Sequence, residues 1–304
     1  MINSLRKKIS ILRKVENPFR FYLIRAVENK FIKDMITNFY KKKIGIKVHK
    51  YTKSILVQES DIPIHTLNLH NDGYSILEYN LQESTLEKII SFSKTINCYD
   101  PYRKNLGAIN LNSVPEDTHI AHFGKEDLVK SKEIMDIAND SGLLKIVENF
   151  LGATPTISNI NMWWSFGNRK EAEEAQLFHR DVDDFKFCKF FIYLTDVTET
   201  TGPHIYVKKT AQSIKLRKVR RYSDDEIEIA FGKESVLTFV AKKGTCFIVD
   251  TYGFHKGKLP NDGNRLLLQI QYSLLPLEEE KYNPSEIKDY NVYDSYINRL
   301  MIKM

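Results

Sequence analysis

Two hydrophobic rhythms divide the chain. Up to about residue 153, apolar residues tend to recur every three or four positions; from Thr156 to Leu274 they fall into short runs separated by turn formers. Ile2, Leu5, Ile9 and Leu12 stand among Arg6, Lys7, Lys8, Arg13 and Lys14, the pattern of a basic amphipathic helix. Asn17-Pro18 reads as an N-cap and first-turn proline. A second helix is predicted from there, with Phe19, Leu23, Val27, Phe31 and Met35 on one face and an end near Lys41–Lys43, where cations suit the helix dipole. NDGYSILEY (71–79) predicts a turn and strand. Ser84 and Glu87 predict a capping box ahead of LEKIISFSKTI. DSGLLKIVENFLGA (140–153) predicts an amphipathic helix stopped at Gly152.

The later runs are TISNINMWWSF, QLFHRD, KFCKFFIYLTDV, GPHIYV, SVLTFVA, GTCFIVD and RLLLQIQYSLL. Several short strands at modest spacing predict a mainly β sandwich or barrel. The segment after Pro276 is charged, then tyrosine-rich, and is expected to be a helix or an extended cover. The division expected is a helical arm over 1–50 and one domain over 51–304, with its β core at about 156–275.

Charge sharpens this division. The net charge is +6. Residues 1–50 hold 14 Lys and Arg against 3 Asp and Glu, a surplus of 11. The other 254 residues carry 31 against 36, a net of −5. The arm therefore has two readings: a helical pair packed on the domain or a dimer contact, and an interfacial helix, through residues 1–44, on an anionic membrane. Nucleic acid is not an expected partner, because no reading motif accompanies the charge. No run reaches the roughly 18 apolar residues of a membrane-spanning helix, and the first 20 residues lack a signal-peptide h-region. The expected location is cytoplasmic, at the inner membrane face if the arm meets lipid. Cys98, Cys188 and Cys246 match no zinc spacing and read as core residues.

Candidate chemistry sits in the β region. His179 and Asp181 are two apart in QLFHRD, so in a strand both point to one face. GTCFIVDTYGFHKG ends a strand and turn at His255. Two histidines and a carboxylate on one face of an octahedral ion leave three positions open, the facial arrangement of non-haem iron(II) oxygenases. Arg265 begins an otherwise apolar strand and offers the planar, permanently charged fork that a carboxylate needs; it shares a face with Leu267 and Gln269. Lys189, Phe191, Tyr193 and Thr195 share a face of the KFCKFFIYLTDV run, and Lys189 and Tyr193 are candidates to hold the same carboxylate ligand. Asn161, Trp163 and Ser165 are candidates to line the cavity. The insert 215–234 carries Lys215, Arg217, Lys218, Arg220 and Arg221; Arg217, Arg220 and Arg221 are candidate contacts to an anionic substrate, against the reading of a solvated lid. His204 is expected at the rim, and His119 and His122 on the surface.

HRDVDDFKFCKFFIYLTDVTETTGPHIYV resembles the core of the phytanoyl-CoA dioxygenase family: HxD, an apolar strand, an Asp, then a "GP" turn into a strand. NDGYSILEYNLQESTLEKII resembles that family's opening segment, and GTCFIVDTYGFHKGKLPNDGNR its distal His and 2-oxoglutarate Arg. The similarity covers about residues 71–275. It implies a double-stranded β-helix (a cupin-like jelly roll) with flanking helices, iron(II), and 2-oxoglutarate and O2 as cosubstrates. It also implies that His179, Asp181 and His255 ligate the metal and that Arg265 anchors the keto acid. Three positions depart from the family: Val207–Gln212 stands where "PGSH" is frequent, Arg180 inside HxD where Gln is frequent, and Gly257 where a small polar residue is frequent. The implied activity is hydroxylation of an anionic small molecule, sugar or lipid-linked glycan. An acyl-CoA substrate, a protein substrate and a non-catalytic cupin-like binding protein remain open alternatives. Asp181 argues against halogenation, which needs that carboxylate missing.

Overall fold

Strands whose residues of both parities are buried need cover on both faces, and this requirement organises the molecule. The computed structural model describes residues 15, 17–27, 29–47, 54–167, 169, 171–287 and 292–303. The helix expected over residues 2–14 lies outside them. The strands of the two main sheets are β1 Tyr74–Ile76, β2 Cys98–Tyr99, β3 Ile120–Phe123, β4 Thr156–Phe166, β5 Phe187–Tyr193, β6 His204–Val207, β7 Val236–Phe239, β8 Cys246–Val249, β9 His255–Gly257 and β10 Asn264–Ser273. The longer helices are α1 Pro18–Ala26, α2 Lys30–Ile44, α3 Ile62–Asn71, α4 Glu83–Ser93, α5 Lys132–Ala138, α6 Ser141–Leu151 and α7 Asp224–Phe231.

The large sheet runs β1-β8-β5-β10-β4-β3-β2 and the small one β7-β6-β9, every pair antiparallel. His179 bridges His255, extending the small sheet by one short segment. With flanking helices, this is the mainly β, jelly-roll architecture of a double-stranded β-helix.

Parity assigns the two faces of the large sheet. Cys188, Phe190 and Ile192 of β5, with Leu266, Leu268, Ile270 and Tyr272 of β10, face outward into the main core beside Leu86, Ile134, Leu143 and Val147 of the helices. Each such side chain contributes about 1.5–3 kcal/mol by leaving water. Phe191, Tyr193 and Leu267 face inward and meet Tyr206 and Phe239 of the small sheet. The register then aligns rows of inward residues: Arg265 opposite Ser165, Leu267 between Trp163 and Tyr193, Gln269 between Asn161 and Phe191, and Gln271 between Asn159 and Lys189.

Two glycines set how closely the sheets approach. Tyr206 donates from its hydroxyl to Asp250 O at 3.1 Å. A Cβ at Gly73 would lie 2.0 Å from that hydroxyl, and one at Gly253 2.1 Å.

The N-terminal segment departs from the expected single helix. The chain breaks after Ala26, and Asn29 restarts it by accepting from the amides of Phe31 and Ile32. Of the expected apolar face, Phe19, Phe31 and Met35 are turned outward at 76%, 76% and 56% exposed, whereas Leu23 and Val27 are half-buried; Phe39 is also 61% exposed. Phe21 and Ile24 are buried instead, Ile24 against Val182 and Phe185, while Tyr40 stacks on Phe185 at 5.7 Å. The capping box expected at Ser84 does not form; α4 starts at Glu83, with Gln82 giving no side-chain cap. Gly152 ends α6 in the left-handed region (φ 75°), as predicted.

Candidate metal centre

A cavity of about 290 Å³ opens between the inner faces of the two sheets. His179, Asp181 and His255 meet at its floor, each offering one ligand atom, all within 4.8 Å of one another. The backbone brings them together: His179 N donates to His255 O and His255 N to His179 O, both at 3.0 Å, so the two histidines sit on adjacent segments. Asp181 N, two residues on, donates to Thr251 O at 3.0 Å.

Second contacts orient the ligands. Nδ1 of His179 lies 2.8 Å from Leu177 O, and Nδ1 of His255 3.0 Å from Gly253 O. A carbonyl can only accept, so each Nδ1 carries the proton and each Nε2 presents a lone pair. Those Nε2 atoms lie 3.5 and 3.4 Å from the two oxygens of Asp181. Burial, followed by the neighbouring His255, lowers the His179 pKa and favours the neutral imidazole that a metal requires. Burial alone would raise Asp181, but Lys189 and His255 outweigh it and hold its carboxyl well below the usual range. Two neutral donors and one carboxylate on one side of an open cavity fit a divalent transition metal.

Lys189 is inward-facing, as its parity predicts. Its ammonium reaches Asp181 at 2.7 Å and Asp183 at 3.1 Å. Tyr193 is fully buried: its hydroxyl donates to Phe239 O at 2.8 Å and accepts from His204 N at 3.0 Å, and it is not among the cavity's lining residues. Thr195 accepts from Leu266 N at 3.1 Å, also away from the lining.

Arg265 is buried with two hydrogen bonds, to Gly202 O and, at 3.1 Å, to Ser165 Oγ. Its Nε is buried without a partner. A buried Arg donor left over beside a cavity suits a ligand carboxylate. His204, expected at the rim, is instead buried and lines the cavity; its ring lies 5.6 Å from that of His255, and its Nε2 is also unpartnered. The parity it shares with inward-facing Tyr206 on β6 is the sequence signal that locates it. His119 and His122 flank or lie on strand β3 rather than on an exposed loop, and both line the cavity; His122 stacks on Trp163 at 5.4 Å and 11°. Burial pushes its imidazole down to about 4.

Asn159, Asn161, Gln269 and Gln271 complete a polar wall with Trp163 and Ser165. At the rim, carboxylates are paired: Glu173 with Arg103 at 3.0 Å, Glu279 with Arg25 at 2.9 Å, Glu280 with Lys125 at 3.0 Å, and Glu278 with Arg20. The tail after Pro276 supplies three of these and acts as the expected cover. The cations of the 215–234 insert are dispersed. Arg221 pairs with Glu174 of the rim at 3.2 Å, Arg220 pairs with Glu226, and Arg217 lines a different cavity.

No protein-family profile matches the sequence, and no curated protein does. Solved structures do match. EctD from S. alaskensis with bound Fe is 14% identical and superposes with a TM-score of 0.54 over 84% of this chain and 90% of that one. HygX from Streptomyces hygroscopicus, with nickel and 2-oxoglutarate bound, is 13% identical, with a TM-score of 0.50 over 81% and 100%. The non-heme alpha ketoglutarate dependent carbocyclase SnoK from nogalamycin biosynthesis is 11% identical, with a TM-score of 0.50 over 73% and 86%. At these identities the likeness establishes the jelly-roll fold.

Proposed function

We propose that this chain is an iron(II)- and 2-oxoglutarate-dependent oxygenase that hydroxylates a small, hydroxyl-rich molecule such as a sugar or glycan. The observation that carries the reading is the joint placement of His179, Asp181 and His255 with Arg265, which lines the same cavity and keeps an unpartnered Nε. The metal and cosubstrates found in neighbouring structures support it. When bound, iron(II) with 2-oxoglutarate and O2 supplies the oxidising power for hydroxylation, with release of succinate and CO2.

The chain's own residues bind and orient. His179, Asp181 and His255 would hold the ion, each through one ligand atom. Arg265 would receive the distal carboxylate of the keto acid, and His204, whose Nε2 has no partner, lines the same cavity beside His255. Lys189 holds Asp181 in place through a 2.7 Å contact rather than reaching the keto acid directly. Trp163 offers an apolar ring, and Asn161 and Gln269 offer amide donors and acceptors, the groups that suit a sugar ring. The dispersal of Arg217 and Arg220 away from this cavity favours a neutral polar substrate over an anionic one. An acyl-CoA substrate and a non-catalytic binding role are the alternatives the following test addresses. Anaerobic addition of iron(II) and 2-oxoglutarate is expected to give a weak visible charge-transfer band, absent in His179→Ala. A folded, metal-loaded wild type without the band would reject the reading.

We also propose that the N-terminal helices touch an anionic membrane. Support comes from Phe31, Met35 and Phe39, spaced at four residues on the exposed face of α2, with exposed Lys42 and Lys43 beside them. Among the described residues no helix is long and apolar enough to cross a membrane. Co-sedimentation with phosphatidylglycerol vesicles is the test.

A further inference from the structure

A second cavity, of about 390 Å³, lies between α2, the residues leading into β5, the 211–217 stretch and Tyr252. It is separate from the metal centre. Between them run Arg180, which donates to Tyr252 O and Thr210 O at 2.8 Å, and Asp181, whose amide donates to Thr251 O.

Four cations converge on this cavity: Lys33, Lys41, Lys186 and Arg217. Lys30 also borders it but is paired with Asp34 at 2.8 Å. The ammonium of Lys33 rests 3.2 Å from the centre of the Tyr252 ring, and that of Lys186 lies 4.2 Å from the centre of the Phe150 ring. Ring faces steady a cation without neutralising it. Lys41 runs across Gly152, so close that a Cβ there would lie 3.2 Å from its ammonium. The other carboxylate lining the cavity is Asp250, which accepts from Tyr252 N at 3.1 Å and whose own pKa is raised by burial. It offsets part of the charge at most.

The cations also act on one another. Burial, and then the charge of Lys41, lowers Lys186 to about 8, and burial, with Lys186 and Lys41 adding to it, disfavours a charge on His70. Burial lowers Lys33 to about 8. Four convergent cations around one partly neutralised carboxylate cost free energy until a counter-charge arrives.

We propose that this cavity binds a phosphate-bearing anion through Lys33, Lys41, Lys186 and Arg217. A phosphate offers several acceptor oxygens and close to two negative charges, which matches three ammoniums and a guanidinium fork better than a single carboxylate does. The volume leaves room for an organic group beyond the phosphate, on a soluble phosphoester or a lipid headgroup. This inference stands independently of the oxygenase reading.

Isothermal titration of the metal-free protein with inorganic pyrophosphate, at matched ionic strength, is one arm. The other is binding to phosphatidic acid vesicles against phosphatidylcholine vesicles. One-site saturation in either arm is expected. It should weaken at least about 10-fold in Lys33→Gln/Lys186→Gln and less in Lys186→Arg, which keeps the charge. Arg265→Ala should leave it unchanged, which separates this site from the metal cavity. The double variant should melt no lower than wild type in the absence of anion, because two uncompensated charges are gone. Arg217→Gln, on the outer stretch, provides a second variant whose folding does not depend on the buried pair, and it too should bind more weakly. Saturation with pyrophosphate identifies a soluble ligand; saturation with phosphatidic acid alone identifies a lipid. No saturation in either arm, or equal affinity across the variants, overturns the proposal.

Discussion

Arg265 shows how much one side chain can reveal and how much it conceals. A lone charge opening an apolar strand marks either a buried anion receptor or an exposed strand end. The structure buries it against Ser165 and Gly202 with Nε left over. If it receives the keto acid, Arg265→Ala should weaken 2-oxoglutarate binding by about 100-fold and Arg265→Lys by about 10-fold, because an ammonium cannot reproduce the fork. Titration of the metal-loaded protein with 2-oxoglutarate measures both; equal affinity in all three proteins would remove Arg265 from the site. The metal triad was legible because His179 and Asp181 lie two apart and His255 follows a strand and a turn. Lys189 was legible as inward-facing but not in its partner: alternation gives the direction of a side chain, and its contact with Asp181 depends on how residues 181–186 lead into β5. Tyr193 has the right parity as well, yet backbone groups of Phe239 and His204 consume its hydroxyl.

At the scale of elements, the β core was readable, as were the Asn17 cap and the helix end just past Lys43, but the face by which the N-terminal helices pack was not. β4, β5 and β10 carry the alternation that sends Asn161, Trp163, Phe191 and Gln269 inward and Phe190, Leu268 and Ile270 outward. In α2, helical periodicity identified a stripe but could not say which side meets the protein. In the helix that restarts at Asn29, Phe31 and Met35 point outward, and Ile24 and Tyr40 make the contacts instead. Because the stripe is solvent-facing, Phe31→Ser/Met35→Ser/Phe39→Ser should leave the melting temperature nearly unchanged while reducing vesicle co-sedimentation several-fold. Equal co-sedimentation of variant and wild type would dismiss the membrane contact. The insert 215–234 shows the reverse error of inference: its cations cluster in sequence but part company in space, to Glu226, to Glu174 and to the second cavity.

For the molecule as a whole, the junction between the β core and its C-terminal cover contains a pH-dependent element. Asp184 is buried, and its oxygens accept from Phe185 N at 2.7 Å and Leu275 N at 2.9 Å. Burial raises its pKa to about 7 despite those bonds. A carboxyl raised in the folded state stabilises fully below its unfolded value near 4 and loses that contribution as pH rises through about 7. Wild type should therefore lose about 2–4 kcal/mol from this group between pH 4 and pH 8. Denaturant unfolding of wild type and Asp184→Asn at both ends of that range tests it; parallel pH profiles would assign the loss to other groups. Nothing in the sequence singles out Asp184 from Asp181 and Asp183, because its burial depends on a tail that arrives ninety residues later.

The hydroxyl of Tyr206, held between Gly73 and Gly253, acts as a caliper on the molecule. It ties the small sheet to the strap of backbone leading into β1 and to the turn that delivers His255, so the width of the cleft is written into three residues outside the cavity lining. Sequence drift elsewhere can reshape the walls and alter what is bound. At positions 73 and 253 a side chain of any size would force the jaws apart, and selectivity can evolve here only within a gap that those glycines keep constant.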